Sequence, residues 1–165
     1  MDSGRTILIV EQEAETRSLL VETLRGAGFP TRAAANATEA RAALETGRPD
    51  LVLLGISLPD VHGLELLAEL RETERTKDIT VVILKGRWDD EEVARAFEGG
   101  ADDVLRKPVR PTELLARIRS HLRLRGYVEE LARKERDAQV MVELTQALAS
   151  SLDFREILYT VVRRI

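Results

Sequence analysis

The amino-acid sequence predicts an α/β fold: a doubly wound parallel sheet of five strands alternating with five helices, (βα)5, with a long C-terminal helical extension. Three observations predict it. Short apolar runs recur at Ile7–Val10, Leu51–Leu54 and Ile79–Leu84, too short for helices and apolar on both sides, as strands covered on two faces are. Amphipathic helical patterns lie between them and stop at glycines. Connections are short, so successive strands are parallel and joined by right-handed crossovers.

In order, Thr6–Val10 is a first, central strand, with Glu11-Gln12-Glu13 at its C-terminal end. Leu19, Leu20, Val21 and Leu24 share a helical face that stops at Gly26-Ala27-Gly28. Phe29–Ala34 is a short second strand. Asn36 or Thr38 caps a helix through Ala40, Ala43 and Leu44, ended by Gly47 and Pro49. Leu51–Leu54 is the third strand, stopped by Gly55, and a loop with Pro59 leads to a helix over residues 63–74. Ile79–Leu84 is the fourth strand, Lys85-Gly86-Arg87-Trp88 a loop, and residues 89–98 a short helix with acids in its first turn. Gly99-Gly100 breaks it. Asp103–Arg106 is the fifth strand, and a helix begins near Pro111-Thr112.

Bulk properties narrow the function. With 44% hydrophobic and 33% charged residues the chain can build a core. It has no cysteine, which excludes disulfides and thiolate metal sites. No apolar run approaches the ~20 residues that span a bilayer. No signal-peptide pattern precedes the first strand, and a cytoplasmic location is expected. Residues 1–112 hold 15 Lys and Arg against 21 Asp and Glu, and residues 113–165 hold 10 against 8. So acidic a body argues against nucleic-acid binding. Glu11-Gln12-Glu13 in place of a Gly-rich loop argues against a dinucleotide.

In such sheets chemistry gathers past the carboxyl ends of the strands. Those ends carry Glu11 and Gln12, Gly55, Lys85 and Lys107. Ile-Leu-Ile-Val-Glu at 7–11, Pro-Asp-Leu-Val-Leu-Leu at 49–54, Leu-Pro-Asp-Val-His-Gly-Leu-Glu-Leu at 58–66 and Gly-Ala-Asp-Asp-Val-Leu-Arg-Lys-Pro at 100–108 stand in an order and spacing that resemble the receiver domain of two-component response regulators, over roughly residues 5–124. The resemblance implies a flavodoxin-like fold and phosphoryl transfer to an aspartate after the third strand. That chemistry needs a carboxylate nucleophile, acids for Mg²⁺, and donors for the phosphoryl oxygens.

Position by position, most of this is missing. The acceptor position is Gly55, the acidic pair is Glu11 and Gln12, the hydroxyl position is Lys85, and the aromatic switch position is Val104. Lys107, with Pro108, is intact. The resemblance therefore implies a degenerate pseudo-receiver: no catalytic residue, no cofactor and no bound metal are expected. Asp60 as a displaced acceptor is disfavoured, because its carboxylate should point away from Lys107. Glu13 replacing Gln12 would rebuild a metal site without an acceptor. Lys107 is expected to pair with Glu11. Lys85 either points into solvent or supports a loop, or else fills the space of the absent metal and phosphoryl group. His62 and His121 are too few for a histidine metal cluster, Trp88 is read as a partial lid in preference to a partner-binding anchor, and Asp89–Glu92 as a solvated helical turn.

Beyond the fifth receiver helix (Leu114, Leu115, Ile118, Leu122), a weak 4-3 spacing marks a candidate dimer helix: Leu124, Val128, Leu131, Ala138, Val142, with Glu135 and Thr145 interrupting it. Gly126 is a candidate break. Residues 144–165 resemble the opening helices of a GAF domain, with Asp153 as a cap. The expected organisation is a receiver-like domain over 1–124, a helical linker over 125–143 and the beginning of a truncated GAF-like domain over 144–165. The expected function is signalling through protein partners and homodimerisation, by the C-terminal helix, the fourth-to-fifth-helix face, or both. Two alternatives are a phosphorylatable receiver with a displaced acceptor and the regulatory N-terminal part of a sensor histidine kinase or diguanylate cyclase.

Overall fold

The computed structural model describes residues 4–86 and 90–162, with backbone alone for 151–162. Its elements are β1 (Ile7–Val10), α1 (Ala14–Gly26), β2 (Thr31–Ala34), α2 (Ala37–Thr46), β3 (Leu51–Gly55), α3 (Gly63–Glu72), β4 (Thr80–Lys85), α4 (Asp90–Glu98), β5 (Asp103–Arg106) and α5 (Pro111–Val162). All strand pairs are parallel, in the order β2-β1-β3-β4-β5. This is the flavodoxin-like order, in which the direction of winding reverses between β1 and β3 and leaves a crevice at their carboxyl ends.

Strand alternation divides the core. Leu8, Val10, Val52, Leu54, Val81, Ile83 and Val104 face α2, α3 and α4, where Ala40, Leu66, Leu67, Leu70 and Ala96 cover them. Ile7, Ile9, Leu51, Leu53, Val82, Leu84 and Leu105 face α1 and the first turns of α5, meeting Leu20, Leu24, Leu114, Ile118 and Leu122. Both faces are sealed, which is why the strands read as unbroken apolar runs.

Several boundaries differ from expectation for local reasons. The Phe29 amide turns back to the Leu24 carbonyl, so Phe29 closes α1 and β2 starts at Thr31. Asn36, not Thr38, caps α2, accepting from the Glu39 amide. α3 ends at Glu72, where the Thr73 amide bonds the Glu69 carbonyl. Lys85 belongs to β4 rather than to a loop: it pairs in register with Arg106, and the Lys107 amide donates to its carbonyl at 2.7 Å. Trp88 lies outside the described residues.

The chain divides into two compact units, Met1–Arg123 and Leu124–Ile165. The second is helical. Gly126 does not break α5, and Asp153 lies inside the helix rather than at a cap, so no separate opening helices occur over 144–162. Its surface is laced by Arg125–Glu129, Glu130–Lys134 and Gln139–Glu143 contacts one turn apart, the spacing that supports a helix. Leu124, Val128, Leu131 and Val142 are each half or more exposed, as are Tyr127, Met141, Leu144 and Leu148. Ala138 is exposed as well.

Candidate functional site

The crevice between β1 and β3 brings the expected strand-end residues together, with one exception. Glu11 leaves the end of β1 fully buried. Its Oε1 accepts from the Glu13 amide at 2.9 Å, which turns the chain into α1. Its Oε2 lies 2.6 Å from Lys107 Nζ. That contact is charge against charge: the same oxygen takes no well-aligned hydrogen bond. Arg17 binds the carbonyls of Glu11 and Gln12 at 2.7 and 3.0 Å and steadies the β1–α1 turn.

Gly55 ends β3 opposite this carboxylate. A Cβ at position 55 would stand 2.8 Å from Glu11 Oε2, a contact that the end of the Glu11 side chain would have to relieve by shifting, and a tight 3.2 Å from the Val10 carbonyl oxygen. The Glu11 carboxylate is thus the side chain that lies nearest to position 55. An open pocket lies beside it, lined by Gln12, Glu13, Thr16, Ser57, Gly86 and Pro108 together with Glu11 and Lys107. Gln12 is exposed at its rim. The Glu13 carboxylate, also on the pocket lining, accepts from Thr16 Oγ1 at 2.5 Å.

Lys85 is the exception. It does not point into solvent, nor does it line the pocket. Its side chain is 4% exposed and its ammonium is paired with Glu92 in the first turn of α4. Glu92 also lies 3.3 Å from His62 Nε2, while His62 Nδ1 accepts from the Leu64 amide at the start of α3. The bond from Lys85 is the largest cause holding the Glu92 carboxyl below its ordinary range. The acidic turn is therefore not simply solvated. A buried ammonium without a counter-charge is costly, and Glu92, seven residues downstream, provides it. Sequence reasoning missed Glu92, Thr16 and Ser57. The proximity of an acidic helix start to a strand-end lysine was the available signal for Glu92.

Asp60 is also committed elsewhere. Its carboxylate accepts from the Ala37 and Thr38 amides at 3.0 and 2.9 Å, and from Thr38 Oγ1, across the N-terminus of α2. These bonds, that from Ala37 foremost, lower its pKa to about 2. Val104 is buried among the residues facing α2, α3 and α4. On the neighbouring β5–α5 edge, Asp103 is pushed up by burial, but His121 and Arg117 outweigh this and hold it low.

The sequence and fold can be set beside known proteins. The family model of the response regulator receiver domain matches residues 7–119. This chain belongs to the response regulator receiver family. Its receiver unit is 38% identical over 123 residues to the phosphate regulon transcriptional regulatory protein PhoB of Pseudomonas aeruginosa, covering 74% of this chain and 54% of that protein. It is 39% identical over 124 residues to the DNA-binding response regulator MtrA of Mycobacterium tuberculosis, covering 74% and 53%. The chain thus spans about half the length of the curated relatives it matches. Among solved structures, a CheY-like receiver domain protein from Methanospirillum hungatei superposes with a TM-score of 0.70 at 28% identity, over 74% of this chain and 97% of that one. The receiver domain of a signal transduction histidine kinase from Syntrophus aciditrophicus gives 0.67 at 30%, over 72% and 90%.

The metal that receiver chemistry uses does not suit the residues present. A divalent cation takes several oxygen ligands, largely carboxylate. Here Gly55 offers no side chain, Gln12 offers a neutral amide, and the Glu11 carboxylate is already engaged by Lys107 and the Glu13 amide.

Proposed function

We propose that this chain is a pseudo-receiver: a response regulator receiver fold that signals through protein contacts and self-association, without aspartyl phosphorylation. The observation that carries this reading is Gly55 at the acceptor position with the Glu11 carboxylate seated over it and paired to Lys107. Phosphoryl transfer needs a nucleophile and a charge-neutralising metal beside it; this pocket has a glycine and a closed ion pair. Asp60 makes a poor displaced acceptor, because three donors at the start of α2 hold its carboxylate. Val104 supplies no aromatic switch.

Partners on this reading are proteins of a two-component pathway and a second copy of the chain. Leu124, Val128, Leu131, Ala138 and Val142 supply the dimer stripe, and the α4–β5–α5 face is a second contact. Residues 1–124 form the receiver, 125–143 the linker, and 144–165 part of a GAF-like unit. The site of action is the cytoplasm, and these residues make no contact with nucleic acid. The likeness to a histidine kinase receiver domain favours a second reading, in which this is the regulatory segment of a sensor kinase.

Incubation of the chain with acetyl phosphate and Mg²⁺, followed by intact mass measurement, tests the reading. No acid-stable or acid-labile addition of a phosphoryl group is expected. Stoichiometric labelling would overturn it.

A further inference from the structure

The apolar residues of the helical unit are more than one seam can hold. A coiled-coil seam takes two series of residues, each repeating every seventh position. Leu124, Leu131, Ala138 and Thr145 form one such series. Four residues on from each, Val128, Glu135, Val142 and Ala149 complete a seam with it. Three residues on from each, Tyr127, Lys134, Met141 and Leu148 complete another. Both companion series are open to water: Tyr127, Met141 and Leu148 are 57, 66 and 66% exposed, Val128 and Val142 66 and 50%. Each holds one charged residue, and the two are neighbours, Lys134 and Glu135. A two-stranded seam covers one companion series at a time and leaves the other at its edge.

Charge decides how a second copy lies against this helix. Residues 123–137 hold nine charged residues, whereas residues 138–152 hold only Glu143. Antiparallel helices would lay the charged stretch on the apolar one, and parallel helices in register lay like on like. In a parallel pair the residue just before or just after a seam position flanks that position on the other helix. Glu135 in the Val128 seam is then flanked by the partner's Lys134, and Lys134 in the Tyr127 seam by the partner's Glu135. One pair of opposite charges therefore serves both seams. Lys134, which meets Glu130 at 2.9 Å along its own helix, changes partner to form it.

We propose that two copies of this chain pair in parallel through α5 in two alternative registers, one closed by the Val128 series and one by the Tyr127 series, with Lys134 and Glu135 paired across the interface in both. The proposal rests on the self-association of the pseudo-receiver reading and goes beyond it: the dimer helix has two states, not one. They differ by a turn of each helix of roughly 50°, half the ~100° between successive residues. A bias towards one of them is a message that the helix carries along its length.

The chain has no cysteine, so single cysteines report the seam without interference. In the full chain, Met141→Cys and Val142→Cys are each expected to give a disulfide-linked dimer on mild oxidation, faster than Arg133→Cys on the far side of the helix. Lys134→Leu removes the charge from the Tyr127 series. It is expected to raise the rate of Met141→Cys relative to Val142→Cys by about fivefold, and Glu135→Leu to lower it by as much, since a ratio of populations follows their free-energy difference. A dimer that crosslinks through only one of the two positions, or through neither, would overturn the proposal, as would a ratio that neither leucine moves. Lys134→Glu alone is expected to weaken the dimer, and Lys134→Glu with Glu135→Lys to restore it. A double variant as weak as the single one would contradict the cross pair. Light scattering keeps the two levels apart: a monomeric wild type defeats self-association itself, whereas a dimer without the opposed changes in rate defeats only the two registers.

Discussion

At Gly63 a Cβ would stand 2.4 Å from the Gly55 carbonyl oxygen and 2.8 Å from Ile56 Cα. That glycine lets the loop after β3 fold back onto the strand end, where the Gly63 amide donates to the Ile56 carbonyl at 2.7 Å. A Cβ at Gly55 would meet first the end of the Glu11 side chain, which can shift, whereas at Gly63 it would meet backbone, which cannot. Asp60, in the same loop, has an acid-stability signature. Its pKa of about 2 in the fold lies below the ~3.9 of a free aspartate, so it favours the folded state above about pH 4 and loses that contribution as pH falls towards 2. Asp60→Asn is therefore expected to be less stable than wild type at pH 6, with the gap closing between pH 4 and pH 2. Urea denaturation across that range checks it; a gap independent of pH would contradict the Asp60 assignment. What was legible here was residue identity. Gly55, Gln12, Lys85 and Val104 could be read because a missing functional group needs no coordinates to be noticed. Where Lys85 would find its counter-charge could not be read, since several acids follow it and geometry alone selects Glu92.

The elements themselves were legible almost throughout, because both faces of the sheet are covered and the strands had to be apolar runs. Their ends were less so. Phe29 looks like strand but its amide closes α1, and Lys85 looks like loop but extends β4 by pairing with Arg106. That extra strand residue has a consequence, since it buries the Lys85 ammonium under α4 and makes Glu92 its counter-charge. Removing one partner of a buried pair typically costs about 3–5 kcal/mol, whereas replacing both by apolar residues is often neutral or stabilising. Glu92 is partly exposed, so Glu92→Gln is expected near the lower end, about 3 kcal/mol. Lys85→Met combined with Glu92→Leu is expected to recover most of that loss. Chemical denaturation of the three variants distinguishes a structural pair, with this pattern, from an incidental one, with small and additive losses. The pair ties α4 to β4 and, through His62, to the start of α3.

At the scale of the whole molecule, the chain comprises a sealed receiver unit and a helical unit whose apolar residues are exposed. A long isolated helix gains little stability from propensity alone and needs a partner for its apolar stripe. The sequence suggested breaks at Gly126 and Asp153 that do not occur, because one glycine costs only about 1 kcal/mol against a run of good helix formers. Light scattering of the chain is expected to give a dimer mass, and Val128→Glu with Leu131→Glu a monomer with unchanged receiver stability. A monomeric wild type at high concentration would remove self-association from the account. The central claim, that the crevice is closed to phosphoryl chemistry by Gly55 and the Glu11–Lys107 pair, is tested most directly by NMR of the amide-labelled chain titrated with beryllium trifluoride and Mg²⁺. No saturable shifts are expected at Glu11, Gly55, Lys107 or α4. Saturable shifts spreading from the crevice to α4 and β5 would contradict it.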